Sequence, residues 1–158
     1  MSAPSHTLRR RDRELSEAEA LALLAEAEWG VLATVDAQGW PYAVPMNHAV
    51  VEGALILHCA TVGHKLANLA FNPKVSYCAV TLAEPLPLEL ATRYASVILF
   101  GRAELLRDDA EKRAALRALG LRFAAAYPDL VDREVEKDFS RTAVLRIHIE
   151  RATGKARR

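Results

Sequence analysis

The chain has 158 residues, 51% of them apolar and 26% charged, with 21 basic against 20 acidic side chains and a formal net charge of +1. That length and apolar share suit one domain with a core of its own, near-neutrality argues against a dedicated nucleic-acid binder, and no apolar run approaches the roughly 20 residues of a membrane span. Residues 1–6 run straight into Arg9, Arg10, Arg11 and Arg13 with no apolar segment behind them, so no export signal is expected, and Cys59 and Cys78 read as two reduced thiols of a cytoplasmic protein.

Residues 1–14 are polar and basic and read as a flexible, solvated arm, with anion binding by Arg9, Arg10 and Arg11 as the other use of such a cluster. A single domain over residues 15–158 follows. Ser16-Glu17-Ala18-Glu19 has the capping-box pattern, and the Ala- and Leu-rich residues 18–27 propagate a helix that Gly30 is expected to end. From there the texture becomes short strands. Residues 31–35 are β-rich, Asp36-Ala37-Gln38-Gly39 is a turn, and residues 40–46 resume the extended pattern with Pro41 and Pro45 marking an edge, kink or bulge. Glu52-Gly53 turns the chain into a strand over 54–58. Leu66, Leu69 and Ala70 fall at helical spacing between Thr61 and Asn72, and Asn72-Pro73 stops that run. A strand over 75–82 leads to Pro85 and Pro87, read as a stiff connection, and a long apolar run covers 95–106. Asp108-Asp109-Ala110-Glu111 opens a helix to about Ala126, which Tyr127-Pro128 breaks. The final strand, 142–150, alternates Ala143, Leu145, Ile147 and Ile149 with Val144, Arg146, His148 and Glu150.

Six strands joined mostly by turns predict a mainly β fold, an antiparallel sheet closed into a small barrel with helices attached. Strand and helix do not alternate as a doubly wound fold requires, and the seven glycines form neither G-x-G-x-x-G nor a Walker pattern.

The most informative stretch runs from His58 through Cys59, Ala60, Thr61, Val62, Gly63 and His64 to Lys65: a strand, a short turn and a helix start. The free N–H groups of a helix start and its dipole favour an anion, Gly63 lets the backbone approach it, Lys65 adds a full charge, His64 a donor and Thr61 a hydroxyl. A phosphate dianion suits this arrangement; a plain helix with a solvated Lys65 is the other reading. In Pro45-Met46-Asn47-His48 the prolines interrupt sheet pairing, and Asn47 can both donate to and accept from the edge of a heterocycle, although a kink at the barrel rim would look the same. His58 and Cys59 are adjacent in a strand and point to opposite faces, so they cannot share a metal ion. With no H-E-x-x-H and no C-x-x-C, no metal site is expected. Ser96 lies outside any G-x-S-x-G elbow, which leaves no hydrolase triad. On its own, His58 fits a hydrogen-bonded core or rim residue as readily as a catalytic one.

Taken together, six segments in order resemble the flavin-binding split-barrel family of pyridoxamine 5'-phosphate oxidase-like proteins, nearest the branch of the nitroimidazole-resistance reductases. They are Trp29-Gly30-Val31-Leu32-Ala33-Thr34-Val35, Pro41-Tyr42-Ala43-Val44-Pro45-Met46-Asn47, the His58 to Lys65 stretch, Asn72-Pro73-Lys74-Val75, Ser96-Val97-Ile98-Leu99-Phe100-Gly101-Arg102-Ala103 and Thr153-Gly154-Lys155. The resemblance implies a six-stranded split barrel with FMN bound at the interface of a homodimer. Thr61, His64 and Lys65 would hold the phosphate. Pro45, Met46, Asn47 and His48, with His58, Cys59 and Ala60, would line the flavin ring, with Ser96 and Val97 nearby, and His58 matches a histidine held to take part in the reaction. Val97-Ile98-Leu99-Phe100, apolar on both faces, adds a hint of a dimer.

The function this implies is an FMN-dependent oxidoreductase acting on a small aromatic or nitro-aromatic substrate. The alternatives are a haem-binding or haem-degrading protein on the same barrel, with His64 or His148 as axial ligand, and a non-catalytic flavin sensor. The chain departs from the vitamin-B6 oxidases, whose last strand is followed by an arginine- and histidine-bearing tail that grips the substrate phosphate. Here Arg158 stands close behind Thr153-Gly154-Lys155, so oxidation of pyridoxamine phosphate is not expected.

Overall fold

The structure is a computed structural model that describes residues 7–157. Its first helix, α1 (Glu17–Glu26), starts as the capping box dictates: the Ser16 hydroxyl accepts from the Glu19 N–H, and the Glu19 carboxylate accepts from the Ser16 N–H at 2.8 Å. The helix stops at Ala27, not at Gly30, which is the second residue of β2 (Trp29–Val35). The glycine serves a neighbour instead. A Cβ at Gly30 would lie 2.4 Å from the Tyr77 ring, so only glycine leaves room for that phenol.

β3 (Pro41–Asn47), β4 (Ala49–Val51) and β5 (Ala54–Ala60) follow, then α2 (His64–Phe71), β6 (Lys74–Leu86), β7 (Ala91–Leu105), α3 (Asp109–Ala124), α4 (Pro128–Asp138) and β8 (Thr142–Arg157). A two-residue β1 (Glu14–Leu15) precedes α1 and pairs with the end of β8. Of the expected basic arm, residues 1–6 lie outside the described residues, Arg11–Arg13 form one 3-10 turn, and the boundary at residue 14 falls inside β1.

All strands join one antiparallel eight-stranded sheet in the order β3-β2-β6-β7-β8-β5-β4, with β1 beside β8. The expected six strands are therefore corrected to eight. The two extra ones, β1 and β4, have two and three residues, too few to show an alternation. Their placement reveals the curl of the sheet. β3 and β4 stand at opposite ends of the strand order, yet one residue, His48, separates them in the chain, so the sheet bends round until its two edges meet at His48. The result is the split barrel that the sequence suggests.

Two hydrophobic layers result. Inside the curl, Leu32, Leu57, Tyr77, Val97 and Leu99 are fully buried against Leu24 of α1, and Leu66 and Leu69 of α2 pack on the same cluster. Outside it, Ile56 and Val144 are covered by Leu106 and by Ala115 and Leu116 of α3. β5 and β8 are thus apolar on both faces because each face has a cover.

Three further expectations change. The stiff connection expected at Pro85 and Pro87 is in large part strand: β6 runs through Pro85, paired with Thr92, and only Pro87–Glu89 make the tip as a 3-10 turn. Tyr127-Pro128 ends α3 but also begins α4, with Pro128 in the first turn, where its missing N–H has no consequence. The last strand extends beyond residue 150 to Arg157 and shifts register opposite Phe100/Gly101, so its inward positions pass from the odd residues up to Ile149 to Ala152 and Gly154.

Candidate functional site

The alternation of β5 separates the residues expected to act together. Leu57 faces the interior, so His58 faces outward and Cys59 inward. His58 stands where α3 and α4 cross the outer face of β5 and β8. There a cleft of about 530 Å³ is floored by His58, Asn47 and Thr142 and walled by Leu116, Leu119, Phe123, Val131 and Val135. Part of the His58 ring meets solvent, yet the atoms packed around it desolvate its cationic form and lower its pKa, favouring neutral imidazole near pH 7. Asn47, which lines the cleft, is fixed by donating from Nδ2 to the Glu28 carbonyl at 3.0 Å, and its amide oxygen can still accept.

Past the end of β5 the chain bends through Thr61 and Val62 to Gly63, the N-cap of α2. Gly63 has φ of 143°, a region open to glycine, and a Cβ there would meet nothing within 4 Å. The start of α2 differs from those of α1 and α3. Ser16 and Asp108 cap those two helices with side-chain oxygens, whereas among the described residues no side chain caps α2 and its first turn holds no acid. The open N–H groups are joined by the exposed Thr61 hydroxyl, by His64, whose ring lies 4.3 Å from that of Tyr42, and by Lys65. Burial raises the Cys59 thiol pKa, and the Lys65 charge pulls it the other way. This arrangement can hold a dianion through a dipole, open amides and one full charge.

The register also gathers an outward row across the sheet. Ser96 of β7 stands opposite Val80 of β6; Ala79 stands opposite Gly30, which sets Val80 beside Trp29; and Trp29 stands opposite Asn47 of β3. At one strand spacing per step, Ser96 and Asn47 are about 14 Å apart on one face. Trp29 is 54% exposed and Val80 47%, which for large apolar side chains invites a cover.

The expected site residues therefore divide. Pro45, Asn47, His58, Ala60, Thr61, His64, Lys65 and Ser96 reach the outer face or the α2 start. Met46 packs on the interior core, Cys59 points inward, and Val97 is fully buried, so these three can offer a ligand backbone groups only. His48 is a correction. It is fully enclosed, with Nε2 at 2.7 Å from the Leu24 carbonyl and Nδ1 at 2.8 Å from the Tyr77 hydroxyl, and it closes the barrel seam instead of lining a ligand. Trp29 stands opposite Asn47 on this face, within a segment that carries the family resemblance, and no local pattern marks it as a site residue. The α3–α4 wall has no counterpart in the sequence reading, which assigns no element between Pro128 and the last strand.

Among the described residues, no cluster of His, Cys, Asp and Glu could hold a metal ion, and no helix is long and apolar enough to cross a membrane.

Residues 16–156 match the family described as pyridoxamine 5'-phosphate oxidase. Similar solved structures include the FAD and heme binding protein of Mycobacterium smegmatis, 26% identical over 91% of this chain and 73% of that one, with a TM-score of 0.77. A candidate 5-nitroimidazole antibiotic resistance protein of Bacteroides thetaiotaomicron is 23% identical over 90% of this chain and 85% of its own, with a TM-score of 0.73. The flavocytochrome Anf3 of Azotobacter vinelandii is 22% identical over 100% of this chain and 77% of its own, with a TM-score of 0.75. No curated protein matches the sequence.

Proposed function

The chain belongs to the pyridoxamine 5'-phosphate oxidase family, and from that premise we infer that it is an FMN-binding oxidoreductase acting on a small aromatic or nitro-aromatic substrate. The observation that carries this reading is the uncapped start of α2, with Thr61, Gly63 and Lys65 converging on it, set beside the outward-facing Asn47 and His58. Flavin or heme binding in the solved structures of the same fold supports it.

The residues fit the cofactor. The open α2 amides, the Thr61 hydroxyl and Lys65 would hold the phosphate, while Asn47 and Ala60 would face the ring and His64 would stay beside the Tyr42 ring. Gly63 leaves open the space that a side chain would take from a phosphate. Bound FMN supplies a centre that accepts and returns electron pairs. The protein's own part is binding, orientation and proton handling: Lys65 neutralises the phosphate, Asn47 orients the ring edge, and His58, kept neutral by desolvation, is placed to give or take a proton at its imidazole.

A homodimer belongs to the same reading. Trp29, Val80 and Ile98 leave apolar surface on the outer face, and a second copy laid on it would cover both this surface and a cofactor at its edge.

The visible spectrum of the purified protein after FMN reconstitution tests the reading. Flavin absorption that is bleached by NADH or NADPH and restored by a nitroimidazole supports it. A Soret band would select the haem alternative, and tight FMN binding with no reduction by either donor would select the sensor.

A further inference from the structure

The cleft above His58 has a charge pattern that the cofactor reading does not use. Its walls are Leu116, Leu119 and Phe123 of α3 and Val131 and Val135 of α4, and its rim holds two carboxylates, Glu134 and Asp138, with no lysine or arginine among the described lining residues. The nearby cations are already engaged, two of them by the rim carboxylates themselves. Lys137 pairs with Glu134 at 2.7 Å, Arg141 pairs with Asp138, and Arg122 turns away to donate to the backbone carbonyls of Ala25 and Ala27. Lys65 stands at the α2 start, committed to the cofactor phosphate. An anion entering the cleft would lose its water against apolar walls and find no free cation among the described lining residues to pair with.

We propose that the α3–α4 pair is the specificity element of this protein, shaping a seat above His58 for an uncharged ring compound and rejecting phosphorylated or carboxylated ones. This assignment rests on the reading of the site as a flavin site with His58 beside the reacting molecule. A volume of about 530 Å³ falls within the range of small-molecule pockets. His58 provides a hydrogen-bonding group on its floor.

The test compares two compounds sharing one ring, neutral 4-nitrobenzyl alcohol and anionic 4-nitrobenzoate. Calorimetry measures their binding to the FMN-reconstituted protein and to the protein as purified, and FMN binding is followed separately by its fluorescence. The alcohol should bind at least roughly tenfold more tightly than the carboxylate, because the anion is desolvated without a partner. In F123K, a lysine at a half-exposed position of the mouth should reverse or erase that preference while leaving FMN binding unchanged. Equal affinities, a preference for the carboxylate, no binding of either compound, or a preference unchanged in F123K would each overturn the proposal. Failure of FMN to bind, with the preference intact in the protein as purified, would remove the flavin reading and leave the cleft assignment standing.

Discussion

The imidazole Nδ1 of His48 lies 2.8 Å from the phenol oxygen of Tyr77, 29 residues away in sequence, and the two rings meet edge-on at 77°. The Tyr77 proton has two acceptors within 2.8 Å, this nitrogen and the Met46 carbonyl. On its other side the His48 Nε2 faces the Leu24 carbonyl, so the neutral imidazole with its proton on Nε2 suits the site. Burial, with the Arg122 charge behind it, lowers the His48 pKa, and burial raises that of Tyr77, so both groups stay uncharged. This network closes the seam between β3 and β4.

His48→Ala should therefore lower stability by about 3 kcal/mol, from the lost packing and the stranded partners. It should also flatten the acid side of the stability profile. The folded His48 binds its proton below the ordinary value of 6.5, so the unfolded chain takes up more protons as the pH falls through that value. Stability is then present in full above about 6.5 and is lost from there down through the folded pKa. His58, lowered in the same direction, contributes to the same window. Urea midpoints at about pH 5 and pH 7.5 measure the difference. A variant as stable as the parent at both values would contradict this role.

Much of this architecture is legible in the sequence where burial imposes a period. The capping box at Ser16, the alternation of β2 and the doubly apolar β5 are local consequences of core contact. The β6–β7 ribbon is not legible because both faces of residues 83–85 and 92–93 meet solvent, so no apolar period marks them. The family resemblance places His48 at the flavin ring, and nothing local in the sequence shows that two sheet edges meet there. The site was legible where chemistry is local, from Thr61 to Lys65. It was not legible where helices from residues 109–138 fold back over His58.

Gly30→Val tests the packing that shifted the helix end. Its Cβ would sit 2.4 Å from one ring carbon of Tyr77 and 2.6 Å from the Cys78 carbonyl, and the backbone oxygen cannot yield. A loss of about 2 kcal/mol or more is expected, with the Tyr77–His48 contact disturbed as well. A thermal midpoint within a degree or two of the parent would show that the sheet relaxes around the new side chain.

Lys65→Ala should weaken FMN binding by roughly tenfold or more while leaving the fold intact, since it removes the full charge at the α2 start. Val62→Glu, at a position 80% exposed, should do the same by setting a carboxylate beside the phosphate cradle. Fluorescence titration with FMN reads both. Unchanged affinity in the two variants would move the phosphate away from this helix.

The outer face supplies the last test. Cys78 pairs with Ile98 and Val80 with Ser96, and Val31 stands opposite Cys78, so Val31, Cys78, Val80 and Ile98 share one face of the sheet. Ile98 is 42% exposed and Val80 47%, while Val97 and Leu99, alternating with Ile98, are fully buried on the other side. A strand so apolar on the face turned to solvent carries surface that association would remove from water. Val80→Arg and Ile98→Arg would each leave an arginine without a counter-charge inside a symmetric contact, where every substitution occurs twice. Sedimentation should show the parent as a dimer and both variants shifted toward monomer by about 100-fold in dissociation constant. FMN affinity should fall in parallel, because a cofactor seated at the edge of that face needs the second copy to complete its site. A monomeric variant that kept full FMN affinity would separate the two and place the flavin within a single chain.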